Sequence, residues 1–392
     1  MNAVPTADTS PQQIAERTRA FIQEHVFPVE REIVIDGRPM DDALRVELQK
    51  AAREAGVFGP LSPVAYGGLG LDTRALAYVL EAAGASLIGP IAVNASAPDD
   101  GNIHLLVHLA NAEQAQRYLA PLARGEVRSS LAVAEPSPGA GSDLAMLRTT
   151  AEKVAGGWKI NGVKHFTTGA DGAAFSICMA ATTGGATIFL VDQDNPGLTV
   201  GRRMPTLDHS APGGHCEVAF NDCFVPDDAV LGEVGKGFEH VQLRLAPSRM
   251  MFSMSWLGVA VRAHAMSAAR IVNRKAFGIP VADHGMAQAH VADNEIDIAA
   301  ARALIHSTAA VIDEHGALSG AARHASSITK TFVSEAVWRV LDRAVQLYGG
   351  LGVCEDELVA RFLVEARGFR IYEGPSEVLR WSIARRVLRA YR

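Results

Sequence analysis

Near the end of the chain, Arg370-Ile371-Tyr372-Glu373-Gly374-Pro375-Ser376-Glu377 sets a carboxylate between an aromatic ring and a glycine, just ahead of a helix. Glycine lets a ligand or a neighbouring backbone approach closely. The ring excludes water, which disfavours a charged carboxylate and suits Glu373 to act as a base near neutral pH. Taken alone, the run is a Glu before a Gly at a loop start, a common arrangement. Four other segments give it weight.

The loop Glu135-Pro136-Ser137-Pro138-Gly139-Ala140-Gly141-Ser142-Asp143 leaves the strand-like Ser130-Leu131-Ala132-Val133 and offers open backbone N–H groups to an anion or a polar ring edge. It is neither a Walker loop, since no Gly-Lys-Ser/Thr follows, nor a dinucleotide fingerprint, since the spacing fails. In Gly162-Val163-Lys164-His165-Phe166-Thr167-Thr168-Gly169 a strand ends in an aromatic and two hydroxyls, a set that stacks on and hydrogen-bonds a flat heterocycle. Arg274-Lys275-Ala276-Phe277-Gly278-Ile279-Pro280 follows a helix, and the planar fork of Arg274 suits a pyrophosphate. Gln346-Leu347-Tyr348-Gly349-Gly350-Leu351-Gly352 resembles a GxG loop but follows a helix rather than a strand. Each also has an ordinary structural reading: a β-turn, a solvent-facing strand end, a basic helix C-terminus on the macrodipole, a Gly-rich helix cap.

The elements that must position these residues fall into three zones. Residues 10–128 read as helical: Ser10-Pro11-Gln12-Gln13 is a capping box, and Asp41 to Ala55 carries Leu44, Leu48, Ala51 and Ala52 on one face. Residues 129–237 change to short strands, with a hairpin at Gly156-Gly157 and strands near Phe175–Ala180, Thr187–Val191, Leu198–Val200 and Cys216–Phe220. This predicts a small antiparallel barrel or sandwich. Residues 238–392 return to long helices, near 238–277, 286–315, 320–348 and 356–368, with a closing helix from Ser376: a bundle of four or more. The fold class is therefore mainly α with a central β-domain, and residues 1–9 read as a disordered lead-in.

Composition narrows the function. The 392 residues are 48% hydrophobic and 20% charged, with a net charge of −6 and no basic stripe, which argues against nucleic acid. No apolar run is long enough to span a bilayer, and Met1 to Ser10 is not a secretory signal. The four cysteines lack CxxC spacing and no HExxH occurs, so no metal site is expected and a cytoplasmic location is the default.

In this order and spacing the segments resemble the acyl-CoA dehydrogenase family over nearly the whole chain. Ser96-Ala97-Pro98-Asp99-Asp100-Gly101-Asn102 and the ending Gly-Pro-Ser-Glu-Val are similar to a sub-branch whose dehydrogenase domains are fused to kinase-like domains in some eukaryotes. The resemblance implies bound FAD, a homotetramer (a dimer of dimers), an acyl-CoA substrate oxidised to the trans-2-enoyl form, and an electron-transfer flavoprotein as acceptor. It implies Glu373 as the base and Gly374 beside the thioester, with Arg249 and Arg385 as further substrate or CoA contacts. Phe166, Thr168, Val133, Ala134 and Ser142 would line the flavin ring, Ser142 also touching the CoA arm. Arg274, Phe277, Gln346, Gly349, Gly350 and Glu377 would meet the nucleotide end of FAD, the first five across a subunit boundary. For a processed eukaryotic protein the location would be the mitochondrial matrix. The sequence departs from the commonest family form in three places: Ser137 and Pro138 are extra, Ala134 stands where a flavin-bonding Thr is frequent, and Pro375 replaces a frequent Thr. Two other activities use or leave aside the same residues: a flavin oxidase or monooxygenase on this scaffold, and a helical acyl-CoA-binding protein without redox chemistry.

Overall fold

Ser10 opens the first helix as its spacing predicts. Its hydroxyl accepts from the Gln13 backbone and the Gln13 side chain accepts from the Ser10 N–H at 3.0 Å, which closes a capping box on α1 (Pro11–Phe21). The computed structural model describes residues 10–392; the lead-in expected over 1–9 lies outside them. Next come α2 (Phe27–Val34), α3 (Asp42–Glu54, capped by Asp41), α4 (Thr73–Ala83) and α5 (Asp99–Leu109). The last begins four residues before the expected Ile103, because Asp99 and Asp100 enter its first turn, where acidic groups suit the helix dipole.

The chain then lays down β1 (Ser129–Ala132), β2 (Thr150–Val154), β3 (Gly157–Thr168), β4 (Phe175–Thr182), β5 (Gly185–Asp192), β6 (Leu198–Arg203) and β7 (His215–Pro226). They form one seven-stranded sheet in the order β1-β4-β2-β3-β7-β6, with β5 paired to β4. Gly156, at φ +75°, makes the turn that returns β2 on β3. The sheet is the central β-domain expected, but it is not wholly antiparallel: β1 runs parallel to β4, from Ser129 beside Phe175 to Ala132 beside Cys178, and β2 meets β4 in parallel at Thr150 and Ala181. Trp158, Ile160, Phe189, Val191, Val218 and Phe220 fill its core.

Five further helices follow: α6 (Gly237–Asn273), α7 (Gly285–His315), α8 (Gly320–Tyr348), α9 (Leu358–Ala366) and α10 (Ser376–Arg389). The helix expected to reach Phe277 stops at Asn273, and β8 (Lys275–Ala276) and β9 (Ile279–Pro280) fold into a small hairpin. The N-terminal helices and the C-terminal bundle share one core, in which Phe21 and Leu80 join Met254, Leu257, Ile305, Val333, Val340 and Phe362. Each such side chain contributes roughly 1.5–3 kcal/mol by leaving water. The end of α4 meets α6 so closely that a Cβ on Gly84 would lie 2.0 Å from the Ser255 carbonyl oxygen. Only glycine fits there, and that contact sets how the N-terminal helices sit on α6.

Candidate active site

Glu373 follows η-turn residues that end α9's segment and precedes α10, and its backbone is left-handed at φ +54°. Among the described residues five non-glycines take positive φ, and three of them are site candidates: Glu373, Phe166 and Phe277. A non-glycine in this region costs free energy and persists only where its surroundings hold it. Two cations hold Glu373. The Arg249 Nε donates to the Glu373 carbonyl at 3.0 Å, and the Lys330 Nζ donates to the Gly374 carbonyl at 2.7 Å. Lys330 is fully buried, and burial together with the Arg249 charge lowers its pKa to about 8. The Tyr372 ring packs against Phe252 and Phe369, at centroid distances of 4.7 and 5.8 Å. Its hydroxyl accepts from Trp256 Nε1 at 2.6 Å, and burial pushes its pKa well above the usual phenol value.

The carboxylate of Glu373 is paired. Arg244 Nη1 lies 3.0 Å from Glu373 Oε1, with the two side chains 5% and 11% exposed. Oε2 of Glu373, Nε of Arg244 and the hydroxyl of Ser248 are buried without hydrogen-bond partners. Beside them Asp100 has its pKa pushed up to about 7 by burial, against the pull of Arg244, and His104 has its pKa pushed down to about 4 by burial and the nearby cations. Arg249 lies within α6, inside the helix expected near 238–277.

A second group of candidates gathers on β3. Its pairing with β7 breaks register between Lys164 and Thr167, a bulge that turns Phe166 outward at φ +51° with 54% of its surface exposed. Lys164 Nζ donates to the Val133 carbonyl at 3.2 Å and His165 N to the Ala134 carbonyl at 2.8 Å, which brings both residues to the Phe166 end of the strand. Glu135 is a brace. Its carboxylate accepts from Ala140 N, Arg148 N, Thr149 N and Lys164 Nζ. Burial opposes its charge, but these bonds win and hold its pKa at about 2. The loop closes through Glu135 N to the Ala140 carbonyl at 2.7 Å, so Ser137 and Pro138 form its tip and Ser142 stays exposed.

Thr168 Oγ1 lies 2.9 Å from His215 Nδ1, and His215 Nε2 lies 2.7 Å from Asp208 Oδ2. The same loop is strapped to α9, where Glu365 accepts from Ser210 Oγ at 2.7 Å and His209 N at 3.2 Å. The charges of Asp208 and Glu365 add to the rise in the Tyr372 pKa that burial causes.

The third group stands apart. Arg274 and Phe277 lie on the β8–β9 hairpin, Phe277 at 98% exposure, and Gln346, Gly349 and Gly350 are exposed at the end of α8. Arg244 and Arg274 are separated by most of the length of α6, about 45 Å at roughly 1.5 Å per residue. Glu377 is exposed in the first turn of α10, and Arg385, also exposed, lies over the Trp381 ring at 4.5 Å. The sequence reading missed Arg244, Lys330, Asp100 and the His215–Asp208 pair. Arg244 and Lys330 are basic residues in helical patterns, which ordinarily read as solvent-facing, and Asp100 was noted only as part of the Ser96–Asn102 run. Among the described residues no group of side chains could hold a metal ion, and no helix is long and apolar enough to cross a membrane.

Family models for the N-terminal, middle and C-terminal domains of acyl-CoA dehydrogenase match residues 9–126, 130–223 and 235–388. The chain belongs to the acyl-CoA dehydrogenase family. It is 35% identical to "Probable acyl-CoA dehydrogenase FadE2" of Mycobacterium tuberculosis, over 96% of this chain and 95% of that one. It is 33% identical to acyl-CoA dehydrogenase family member 10 of Mus musculus, over 96% of this chain but 37% of that longer protein. The solved butyryl-CoA dehydrogenase of Megasphaera elsdenii superposes with a TM-score of 0.87 at 26% identity, covering 99% of this chain and 100% of the other. The chain is thus an FAD-dependent oxidoreductase of this fold. Its residues fit the cofactor: an aromatic ring forced outward on a strained bulge, a hydroxyl beside it, and an open loop in which a Cβ on Gly141 would meet nothing within 4 Å.

Proposed function

We propose that this protein oxidises an acyl-CoA thioester to the trans-2-enoyl thioester, with Glu373 taking the α-proton. The observation that carries this reading is a buried carboxylate with one oxygen free of partners, held on a strained backbone beside three cations. Strain and an unsatisfied acceptor are costly, and a base that must receive a proton is a reason to keep both. The thioester carbonyl, bonded by the Glu373 backbone N–H, gains enolate character as the proton leaves. The positive charges of Arg244, Arg249 and Lys330 favour that negative charge in a site with little water. FAD, when bound, supplies the acceptor for the β-hydride.

Val133, Ala134, Ser142, Phe166 and Thr168 are the residues that would hold the ring. The length of α6 supports giving Arg274, Phe277, Gln346, Gly349 and Gly350 to the FAD of a neighbouring subunit, which makes a homotetramer part of the active site. Glu377 would reach the adenosine end, and Gly374, Arg249 and Arg385 the substrate. An electron-transfer flavoprotein as acceptor and a cytoplasmic location complete the reading. The test is anaerobic mixing of the FAD-loaded enzyme with a panel of acyl-CoA thioesters. Loss of the visible flavin absorbance with one of them is expected; a flavin that stays oxidised with every member rejects the dehydrogenase reading, and oxygen consumption on admitting air marks an oxidase.

A further inference from the structure

We infer that Arg244 is a positioning residue for the base, seated by the Asp99-Asp100-Gly101 turn, and that it makes Oε2 of Glu373 the oxygen that takes the proton. The inference rests on the reading of Glu373 as base and adds to it which atom acts and what aims it.

A carboxylate has two equivalent oxygens until something distinguishes them. Here Arg244 Nη1 holds Oε1 at 3.0 Å while Oε2 has no partner. The left-handed backbone fixes where the side chain leaves the main chain, and the guanidinium fixes where it ends. Oε2 is the oxygen left wholly unengaged to receive a proton: a substrate C–H bond breaks, an O–H bond forms at Oε2, and the electron pair stays on the substrate.

A purely structural ion pair would look different. Each unpaired buried group costs free energy; the buried Glu30–Arg262 pair leaves one such atom, Glu30 Oε1, whereas the pair at Glu373 leaves atoms on both partners and on a neighbouring hydroxyl. At this pair Arg244 Nε, Glu373 Oε2 and Ser248 Oγ are all left without partners. The seat is also built tightly. A Cβ on Gly101 would come within 2.5 Å of Arg244 Nε and 2.8 Å of Ser248 Oγ, so α5 packs against the guanidinium only because residue 101 is glycine. Asp100, in the first turn of α5, lies close enough to Arg244 for that charge to oppose the rise in its pKa. The titratable and charged groups around the pair are Asp100 and His104 from α5, Arg249 from α6 and Lys330 from α8. Among the described residues Arg244 is the one side chain that donates to the Glu373 carboxylate, so removing it leaves that carboxylate without its anchor.

The test uses the full-length, FAD-loaded enzyme and 3-thiabutyryl-CoA, whose β-position carries no hydride to transfer, so that solvent deuterium exchange at the α-carbon reads proton abstraction alone. Arg244→Gln is expected to slow exchange at saturating thioester by at least about tenfold while thioester affinity stays near the wild-type value. Arg244→Lys should restore part of the rate, since a charged donor returns, but not the full rate, since the fork does not. Gly101→Ala, which displaces the guanidinium without removing it, should repeat the Arg244→Gln result, and it carries the test together with Arg244→Lys if Arg244→Gln does not fold. A wild-type rate in Arg244→Gln overturns the proposal. So does a loss seen only as a weaker thioester affinity, which would make Arg244 a substrate contact. Glu373→Gln separates the two levels: if it still exchanges, the base assignment itself fails, whereas loss of exchange there with no effect at Arg244 rejects only the positioning role.

Discussion

Two buried carboxylates in this molecule are paired with a buried cation at almost the same distance, and they do opposite things. Glu135 and Lys164 lie 2.9 Å apart with side chains 2% and 0% exposed; Glu373 and Arg244 lie 3.0 Å apart at 11% and 5%. Glu135 accepts four hydrogen bonds, from three backbone N–H groups and the ammonium, and has no spare oxygen. It cross-links the end of β1, the loop that follows it and β3. Glu373 accepts one side-chain bond and keeps Oε2 free, on a backbone that would relax if it could. Burial and ion pairing alone therefore do not mark a reactive group. The useful sign is incomplete satisfaction together with a strained backbone: Glu30, paired with Arg262, also leaves Oε1 without a partner but lies in the regular helix α2.

The strongest test of this contrast is Glu373→Gln. Turnover should fall by about a thousandfold or more while FAD stays bound and the melting temperature holds; steady-state rates and the flavin spectrum measure both, and retention of most activity would remove the functional half of the comparison. On the structural side, Lys164→Met leaves Glu135 buried and unpaired, and urea unfolding should show a loss of about 3–5 kcal/mol. An unchanged midpoint would mean the brace is idle.

A third carboxylate sharpens the comparison, because it is buried without a close cation. Glu365 has only Arg361, at 3.7 Å, and burial raises its pKa to about 7 although Ser210 and His209 donate to it. The folded protein keeps a proton there that the unfolded chain releases near 4.5, so stability should fall as pH rises from about 4.5 toward 7. Glu365→Gln should flatten that decline by at most about 3 kcal/mol, measured by denaturation across that pH range. A decline of equal depth in the variant would assign it to other groups, Asp100 first. The smallest effect belongs to Phe166, about half of whose surface is exposed. Phe166→Ala should raise the FAD dissociation constant about tenfold, roughly 1.4 kcal/mol, and change apoprotein stability by no more than about 0.5 kcal/mol. FAD titration of the apoprotein that gave a wild-type constant would take Phe166 out of the cofactor site.

The three-part fold and the reactive run around Glu373 were legible because their signals are local. Helical spacing from Leu44 to Ala52, the Gly156-Gly157 turn and the Tyr-Glu-Gly run each lie within a few neighbours along the chain. The hairpin at β8–β9 was read as continued helix, since Lys-Ala-Phe carries no strong breaker before Gly278. The parallel pairing of β1 with β4 was not legible either, because it joins segments more than forty residues apart.

Residue type at each position settled which groups were at hand: a Glu before a Gly, a Phe before two Thr, and arginines and lysines spaced along amphipathic helices. Folding in three dimensions alone decided which cation meets which acid. Arg244 is 129 residues from Glu373 in the chain and Lys330 is 44 from Gly374, and they converge only because α5, α6 and α8 pack around one corner. The reason is range. Backbone preferences act over one or two turns and can be read off neighbouring letters, whereas a Coulombic contact over a few ångströms depends on the whole path the chain takes between its two ends.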